Sequence, residues 1–184
     1  PVTSNQQLAT SNQQPLPSPL LIITKNYPPL ICGVGDHSFV LKQQLVQRGW
    51  QVSILTQMQH REEHVWALLN TQQHALIPLH NNLAVAINGA SNILGKKPTL
   101  LWQYVPNSFS KNGMPVLLAA QVFWLWLNGY RQSIFFHEVA VRTGGYGWKQ
   151  MMLSLMQKIL ANKLIFFTHH AATSIALYRG YFLF

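Results

Sequence analysis

Short apolar runs alternate along most of the chain with longer segments of helical periodicity, and glycine or proline separates the two kinds. Continuous apolar runs, such as residues 20–24, are typical of parallel strands that are buried on both faces of a sheet. Apolar residues spaced three or four apart and followed by glycine, as before Gly49 and Gly129, are typical of helices. The pattern predicts strands at residues 20–24, 51–56, 74–79, 99–105, 133–136 and 164–168, and helices at 37–48, 84–94, 116–128, 148–161 and 171–178.

This alternation predicts an α/β fold with a single Rossmann-like, doubly wound and mainly parallel sheet. Residues 1–18 are polar, contain proline and repeat the letters SNQQ, so we expect a disordered tail before a domain at 19–184. The segment 116–128 is apolar almost all round, which predicts a buried or partnered helix. It is too short to cross a bilayer, because a spanning helix needs about 20 apolar residues.

The charge balance is strongly basic, with 13 Lys and Arg against four acidic residues and a formal net charge of +9. Such a surface attracts phosphates, nucleic acid or anionic lipid. The basic residues are scattered rather than grouped in a stripe, so we expect no nucleic-acid partner. The single cysteine, Cys32, excludes an internal disulfide and a multi-cysteine metal site. Without a secretory signal pattern, a cytoplasmic location is expected, with peripheral contact to the inner face of the cell membrane as a further expectation.

The first candidate for chemistry is the segment Gly33, Val34 and Gly35, which we interpret as a loop with Asp36 as the N-cap of the following helix. A glycine loop at a helix N-terminus lets backbone N–H groups approach an anion closely. A dinucleotide fold is disfavoured, because Ser38 occupies the third glycine position and no acid follows the second strand. A plain tight turn is the alternative interpretation.

Three segments together resemble the family-4 glycosyltransferases. Residues 27–36 (YPPLICGVGD), continuing through 45–49 (LVQRG) to 52–56 (VSILT), are similar to the family's opening YPP-x-x-x-GVGDY, L-x-x-RG and V-x-V-L-T. His37 and Trp50 stand where tyrosine and histidine are common in the family. Residues 103–115 (QYVPNSFSKNGMP) are similar to the QYVPYGF segment of a bacterial branch, and residues 136–139 (FHEV) to its F-H-E-V segment. The resemblance extends from about residue 20 to residue 180.

The resemblance implies the N-terminal, acceptor-side half of a two-domain GT-B fold, with the donor-binding C-terminal domain absent from these 184 residues. It implies a retaining sugar transfer from a nucleotide-diphosphate sugar to a saccharide or lipid-linked acceptor, for which the isolated chain is incomplete. No metal ion and no cofactor beyond the donor substrate are expected. Gly33, Val34 and Gly35 are expected to face the donor phosphates and the acceptor.

By the same resemblance, His137 is expected to point at the transferred sugar, with Glu138 orienting its imidazole. The alternatives are a satisfied histidine at a strand end and a structural salt bridge between Glu138 and Arg142. His60 and His64 have the spacing of a metal pair on a helix, but Arg61 replaces the glutamate of H-E-x-x-H, so a solvated polar face is favoured. His169 and His170 are expected to begin the last helix.

Three functions of different classes follow. The first is the acceptor domain of a glycosyltransferase acting in cell-envelope polysaccharide synthesis. The alternative is a non-catalytic basic module that binds a membrane or a partner. An NAD-dependent oxidoreductase is the third and is disfavoured by Ser38 and by the missing acid. Because a cleft wall and the run 181–184 are expected to be exposed, the isolated chain is also expected to be marginally soluble.

Overall fold

The structure is a computed structural model that describes residues 18–69, 75–110, 112–140 and 147–173. Its elements follow the predicted alternation of strands and helices from the first buried strand onward. In chain order they are β1 (Leu20–Ile23), α1 (Gly33–Gln47), β2 (Val52–His60), β3 (Glu63–Leu69), β4 (Leu76–His80), α2 (Leu83–Ile93), β5 (Thr99–Tyr104), α3 (Pro106–Phe109), α4 (Val116–Leu127), β6 (Gln132–Phe136), α5 (Trp148–Phe166) and β7 (His170–Thr173).

The strands form one sheet of seven in the order β4-β3-β2-β1-β5-β6-β7. The strands β2, β1, β5, β6 and β7 are parallel, and the β3–β4 hairpin extends one edge in antiparallel fashion. Numbered along the chain, the parallel strands have the order 2-1-3-4-5, which is one of the two common doubly wound arrangements. The predicted Rossmann-like α/β fold is therefore confirmed.

Helices cover the two faces of the sheet unequally. The strand order reverses at β1, so right-handed crossovers place α1 on one face and α2, α4 and α5 on the other. The core under the three helices is the larger and contains Trp102, Tyr104 and Phe136. The core under α1 is smaller, with Leu41 and Leu45 packed against β1 and β2. All four residues of β1 are buried, which explains the uninterrupted apolar run in the sequence.

The second strand, β2, is longer than predicted. It is followed directly by β3, and the two form a β-hairpin that the sequence did not predict. The apolar run ends before residues 57–60 because this part of the strand extends beyond the region of the sheet that the helices cover. Its side chains become exposed towards the end of the strand. Arg61, with φ of 55°, and Glu62 form the turn. His60 therefore pairs with Glu63 and His64 with Gln59 across two strands, so the two histidines do not share a helix face.

The end of the chain also differs from the prediction. Residues 164–168 were predicted as a strand, but α5 continues to Phe166 because neither glycine nor proline interrupts it after Ala161. The strand that joins the sheet is β7, parallel to β6, and it includes His170. The predicted start of a helix at residues 169–171 is therefore wrong. The remainder of that helix, the run 181–184, the tail at residues 1–17 and Arg142 lie outside the described residues.

Candidate functional site

The glycine segment lies in the first turn of α1 rather than in a loop. The helix begins at Gly33, after an extended Cys32 whose side chain makes no capping hydrogen bond. The prediction that Asp36 is the N-cap is wrong, because Asp36 lies inside the helix and its N–H donates to the Cys32 carbonyl (2.8 Å). An acidic side chain in the first turn still interacts favourably with the helix dipole.

The two glycines of this turn have opposite surroundings. A Cβ atom added to Gly33 would meet nothing within 4 Å, so its main chain is open to a ligand. A Cβ atom on Gly35 would lie 2.8 Å from the Asn26 carbonyl oxygen and 3.3 Å from the Tyr27 Cα. Open space beside the main chain is therefore present at Gly33 and absent at Gly35, where the chain's own backbone occupies that space. Val34, between them, is half-buried, and its carbonyl accepts from the Ser38 hydroxyl (2.7 Å).

The topology directs a ligand to the carboxyl ends of β1 and β5. The strand order reverses between these neighbouring strands, and doubly wound sheets bind ligands in the crevice outside such a switch point. The loop after β1 leads to Gly33, and His137 directly follows the neighbouring strand β6. The fold therefore brings the predicted residues Gly33 and His137 to the same edge of the sheet.

A polar cluster occupies this edge on the α1 side of the sheet. His37, in the first turns of α1, packs edge-on against His137, with ring centroids 4.9 Å apart. His137 Nε2 lies 2.6 Å from Gln103 Oε1, and its backbone N–H donates to the Tyr104 carbonyl (3.1 Å). Since an amide oxygen only accepts, Nε2 carries the proton in this arrangement and Nδ1 is left as an acceptor.

The environment keeps His137 neutral. Burial, and secondarily the neighbouring His37, lowers the pKa of its imidazole to about 4. A neutral imidazole with one donor and one acceptor nitrogen suits hydrogen bonding to hydroxyl groups, which also both donate and accept.

Several polar atoms near His137 have unused hydrogen-bonding capacity. Within the described ranges, His37 Nδ1, Gln103 Nε2 and the Tyr104 hydroxyl are buried and have no partner. Burial, and secondarily the Glu138 carboxylate, raises the pKa of Tyr104, so its hydroxyl stays protonated. Unpaired buried polar groups are costly and are often completed by water or a ligand. Glu138 is half-buried and acts on Tyr104, whereas its predicted partner Arg142 lies outside the described residues.

The pKa of His137 predicts how stability depends on pH. An unfolded histidine titrates near 6.5, about 2.5 pH units above the folded value, so the unfolded chain takes up the proton first. The contribution of His137 is fully present above pH 6.5 and is lost as the pH falls towards 4. After allowance for partial exposure, we expect a loss on the order of 1–2 kcal/mol. Urea unfolding between pH 7 and 4 measures it, and His137→Gln is expected to flatten the curve whereas the exposed control His64→Gln leaves it unchanged.

A cleft of about 730 Å³ opens at the same edge, between the β2–β3 hairpin, α3 and α4. Its lining combines amides and hydroxyls with a cation and aromatic rings. It includes Lys25, Gln57, His64, Trp66, Asn81, Asn82, Ser108, Phe109, Ser110 and Gln121. Phe109 stacks on Tyr104 with centroids 6.4 Å apart, so the cleft is connected by ring contacts to the strand that carries Gln103. Such a mixture of polar groups and ring faces fits a ligand that presents both hydroxyls and C–H surface.

Most residues of the cleft and of the polar cluster around His137 had no role predicted from the sequence. Gln103 and Phe109 stood inside the QYVP segment but received no role, and His37 was noted only as a departure from a family pattern. Gln57 and His64 come from the unpredicted hairpin. Among the described residues, no three His, Cys, Asp or Glu side chains are grouped so that they could hold a metal ion.

Comparison with protein-family models, with curated proteins and with solved structures finds no match. In the described part of the chain, no helix has the length and apolar character needed to cross a membrane.

Proposed function

We propose that the chain is the acceptor-side domain of a GT-B type glycosyltransferase, acting in the transfer of a sugar from a nucleotide-diphosphate sugar to a saccharide or lipid-linked acceptor. The observation that carries the proposal is the polar cleft at the carboxyl edge of the sheet, the edge at which His137 also lies. Its amides and aromatic rings match the hydroxyls and apolar ring faces of a saccharide. The three sequence segments that resemble family-4 glycosyltransferases support the same proposal independently.

In this proposal the saccharide acceptor lies in the cleft, and His137 Nδ1 accepts a hydrogen bond from a hydroxyl near the reacting centre. Gln103 holds the imidazole through the 2.6 Å contact with Nε2, and His37 packs against its ring. The exposed main chain at Gly33, at the N-terminus of α1, faces the anionic part of the donor. The donor's nucleotide is held by a second domain, so sugar transfer requires that domain.

The test is saccharide binding by the purified chain, measured on an array of oligosaccharides and then by calorimetry with the best ligand. Gln57→Leu combined with Gln121→Leu removes two amides from the cleft and is expected to weaken binding about tenfold or more. Gln44→Leu, on the exposed face of α1, is the matched control and is expected to leave binding unchanged.

Two results would contradict the proposal. Binding of no saccharide at millimolar concentration would leave the non-catalytic binding module as the better interpretation. Tight binding of NADH, with displacement by NAD, would instead favour an oxidoreductase. Ser38 speaks against that outcome, since it is fully buried at the position of the third glycine and bonds within its own helix.

A further inference from the structure

The last long helix, α5, buries only a narrow and partly polar stripe of residues against the rest of the domain. The residues of α5 that are buried form one stripe and are mainly small or polar: Ser154, Gln157, Ala161 and Leu164. The Gln157 side chain donates to the Gly113 carbonyl (2.7 Å). This stripe supplies little of the apolar surface that normally holds a helix on a sheet.

The outward face of the same helix is apolar. It carries the following side chains, each at least 44% exposed: Trp148, Met151, Met152, Leu155, Met156, Ile159 and Phe166. Most of them are spaced three or four residues apart, as on one face of a helix. Helix α5 therefore has an apolar outward face in addition to its buried stripe, which indicates that the outward face has a partner of its own.

The neighbouring helix α4 extends this apolar surface. Phe123 and Trp126 lie on its exposed side, and both contact Phe167 at the end of α5, with ring centroids 4.9 and 5.7 Å apart. Trp124 and Leu127 are also exposed. We call the outward side chains of α4 and α5 the α4–α5 surface.

Charge identifies the kind of partner. The acids of the chain are Asp36, Glu62, Glu63 and Glu138, and none of them lies on α4 or α5. The only charged side chains on these helices are Lys149, Lys158 and Lys163 of α5. The α4–α5 surface is therefore apolar with a purely positive fringe. A second copy of the chain would bring the same lysines opposite one another without a carboxylate to pair them.

We propose that the α4–α5 surface docks the domain on a bilayer that contains anionic lipids. A bilayer offers an apolar layer directly beneath a negatively charged headgroup layer, which matches the α4–α5 surface and its lysines. Trp124, Trp126 and Trp148 suit the interface, because tryptophan side chains favour the level of the headgroups. Docking in this way is independent of the proposed sugar transfer, since the cleft and His137 lie at the carboxyl edge of the sheet.

The experiment is co-sedimentation of the 184-residue chain with vesicles of phosphatidylcholine alone or with about 30% phosphatidylglycerol. We expect strong sedimentation with the anionic vesicles at low salt, and a marked loss in 0.5 M NaCl. Lys149→Gln with Lys163→Gln is expected to reduce the partition coefficient about twenty-five-fold, since each lysine near an anionic surface contributes roughly a factor of five.

The apolar contribution is tested by Met151→Gln with Leu155→Gln, which is expected to weaken binding to anionic vesicles about tenfold or more. Val40→Gln with Val46→Gln, at exposed apolar positions of α1 on the opposite face, is the matched control and retains binding. The proposal would be overturned if the lysine variant and the Met151/Leu155 variant both sedimented as strongly as the wild type, or if the wild type did not sediment at all. So would a dimer in solution that the α5 variant dissociates, because a second copy would then cover the surface.

Discussion

Gly35→Ala is expected to lower the free energy of unfolding by about 2 kcal/mol or more. The added methyl group would lie 2.8 Å from the Asn26 carbonyl oxygen and 3.2 Å from its carbon, closer than van der Waals contact allows. The contacting atoms belong to the backbone of the loop after β1, so they cannot rotate away as a flexible side chain would. Overpacking of this kind costs about 1–3 kcal/mol, and the strained loop leads directly into the candidate site.

Gly33→Ala, two residues earlier in the same turn, is the matched control. Its Cβ atom meets nothing within 4 Å, so the gain in helix propensity is expected to stabilise the fold by a few tenths of a kcal/mol up to about 1 kcal/mol. Urea unfolding of both variants at pH 7.5 measures the difference. Equal stability of the two variants would show that α1 does not approach the Asn26 backbone as described.

The elements that the sequence predicted best are the strand that is buried on both faces and the helices that are followed by a glycine. The run at residues 20–24 became β1, because a central parallel strand is buried on both faces and accommodates consecutive apolar side chains. Gly49 and Gly129 follow α1 and α4 with φ of 82° and 74°, as their positions predicted. Where the chain leaves the core, as in the β2–β3 hairpin, the apolar pattern fades and the prediction failed.

The end of α5 shows a second limit. Residues 164–168 are apolar and read equally well as a strand or as a helical turn, and periodicity cannot separate the two over five residues. The orientation of α5 was also not predictable, because a helical pattern shows that one side is apolar but not which side faces the sheet. The burial of Ser154 and Gln157 and the hydrogen bond from Gln157 to Gly113 establish it.

The candidate site was predictable in part. The sequence predicted a strand at residues 133–136, directly before His137. A residue that directly follows a parallel strand must lie at the carboxyl edge of the sheet, so the position of His137 was predictable. The contact of His37 with His137 joins residues 100 positions apart, and no local pattern indicates it. The same holds for the cleft, which draws side chains from the hairpin, α3 and α4. The distinction between Gly33 and Gly35 depends on the path of the loop at Asn26, which the glycine spacing does not specify.

Gln132→Leu is expected to cost about 2 kcal/mol of stability, although it places an apolar residue in an apolar core. The Gln132 amide is fully buried and connects three elements. Its oxygen accepts from the Trp102 indole N–H of β5 (3.0 Å), and its nitrogen donates to the Val122 carbonyl of α4 (2.9 Å). Leucine has a similar size but leaves the buried indole N–H without an acceptor, and such a loss costs about 1–3 kcal/mol.

A double-mutant cycle with Trp102→Phe separates this loss from simple repacking. Phenylalanine removes the N–H, so Gln132→Leu is expected to cost about 1–2 kcal/mol less in that background than in the wild type, as measured by urea unfolding. Additive effects of the two substitutions would mean that the indole hydrogen bond contributes nothing. Because Gln132 begins β6 at the end of the sheet opposite His137, saccharide affinity is expected to stay unchanged in all folded members of the cycle. A parallel loss of affinity and stability would show instead that the site depends on the packing of this strand rather than on the side chains at its carboxyl end.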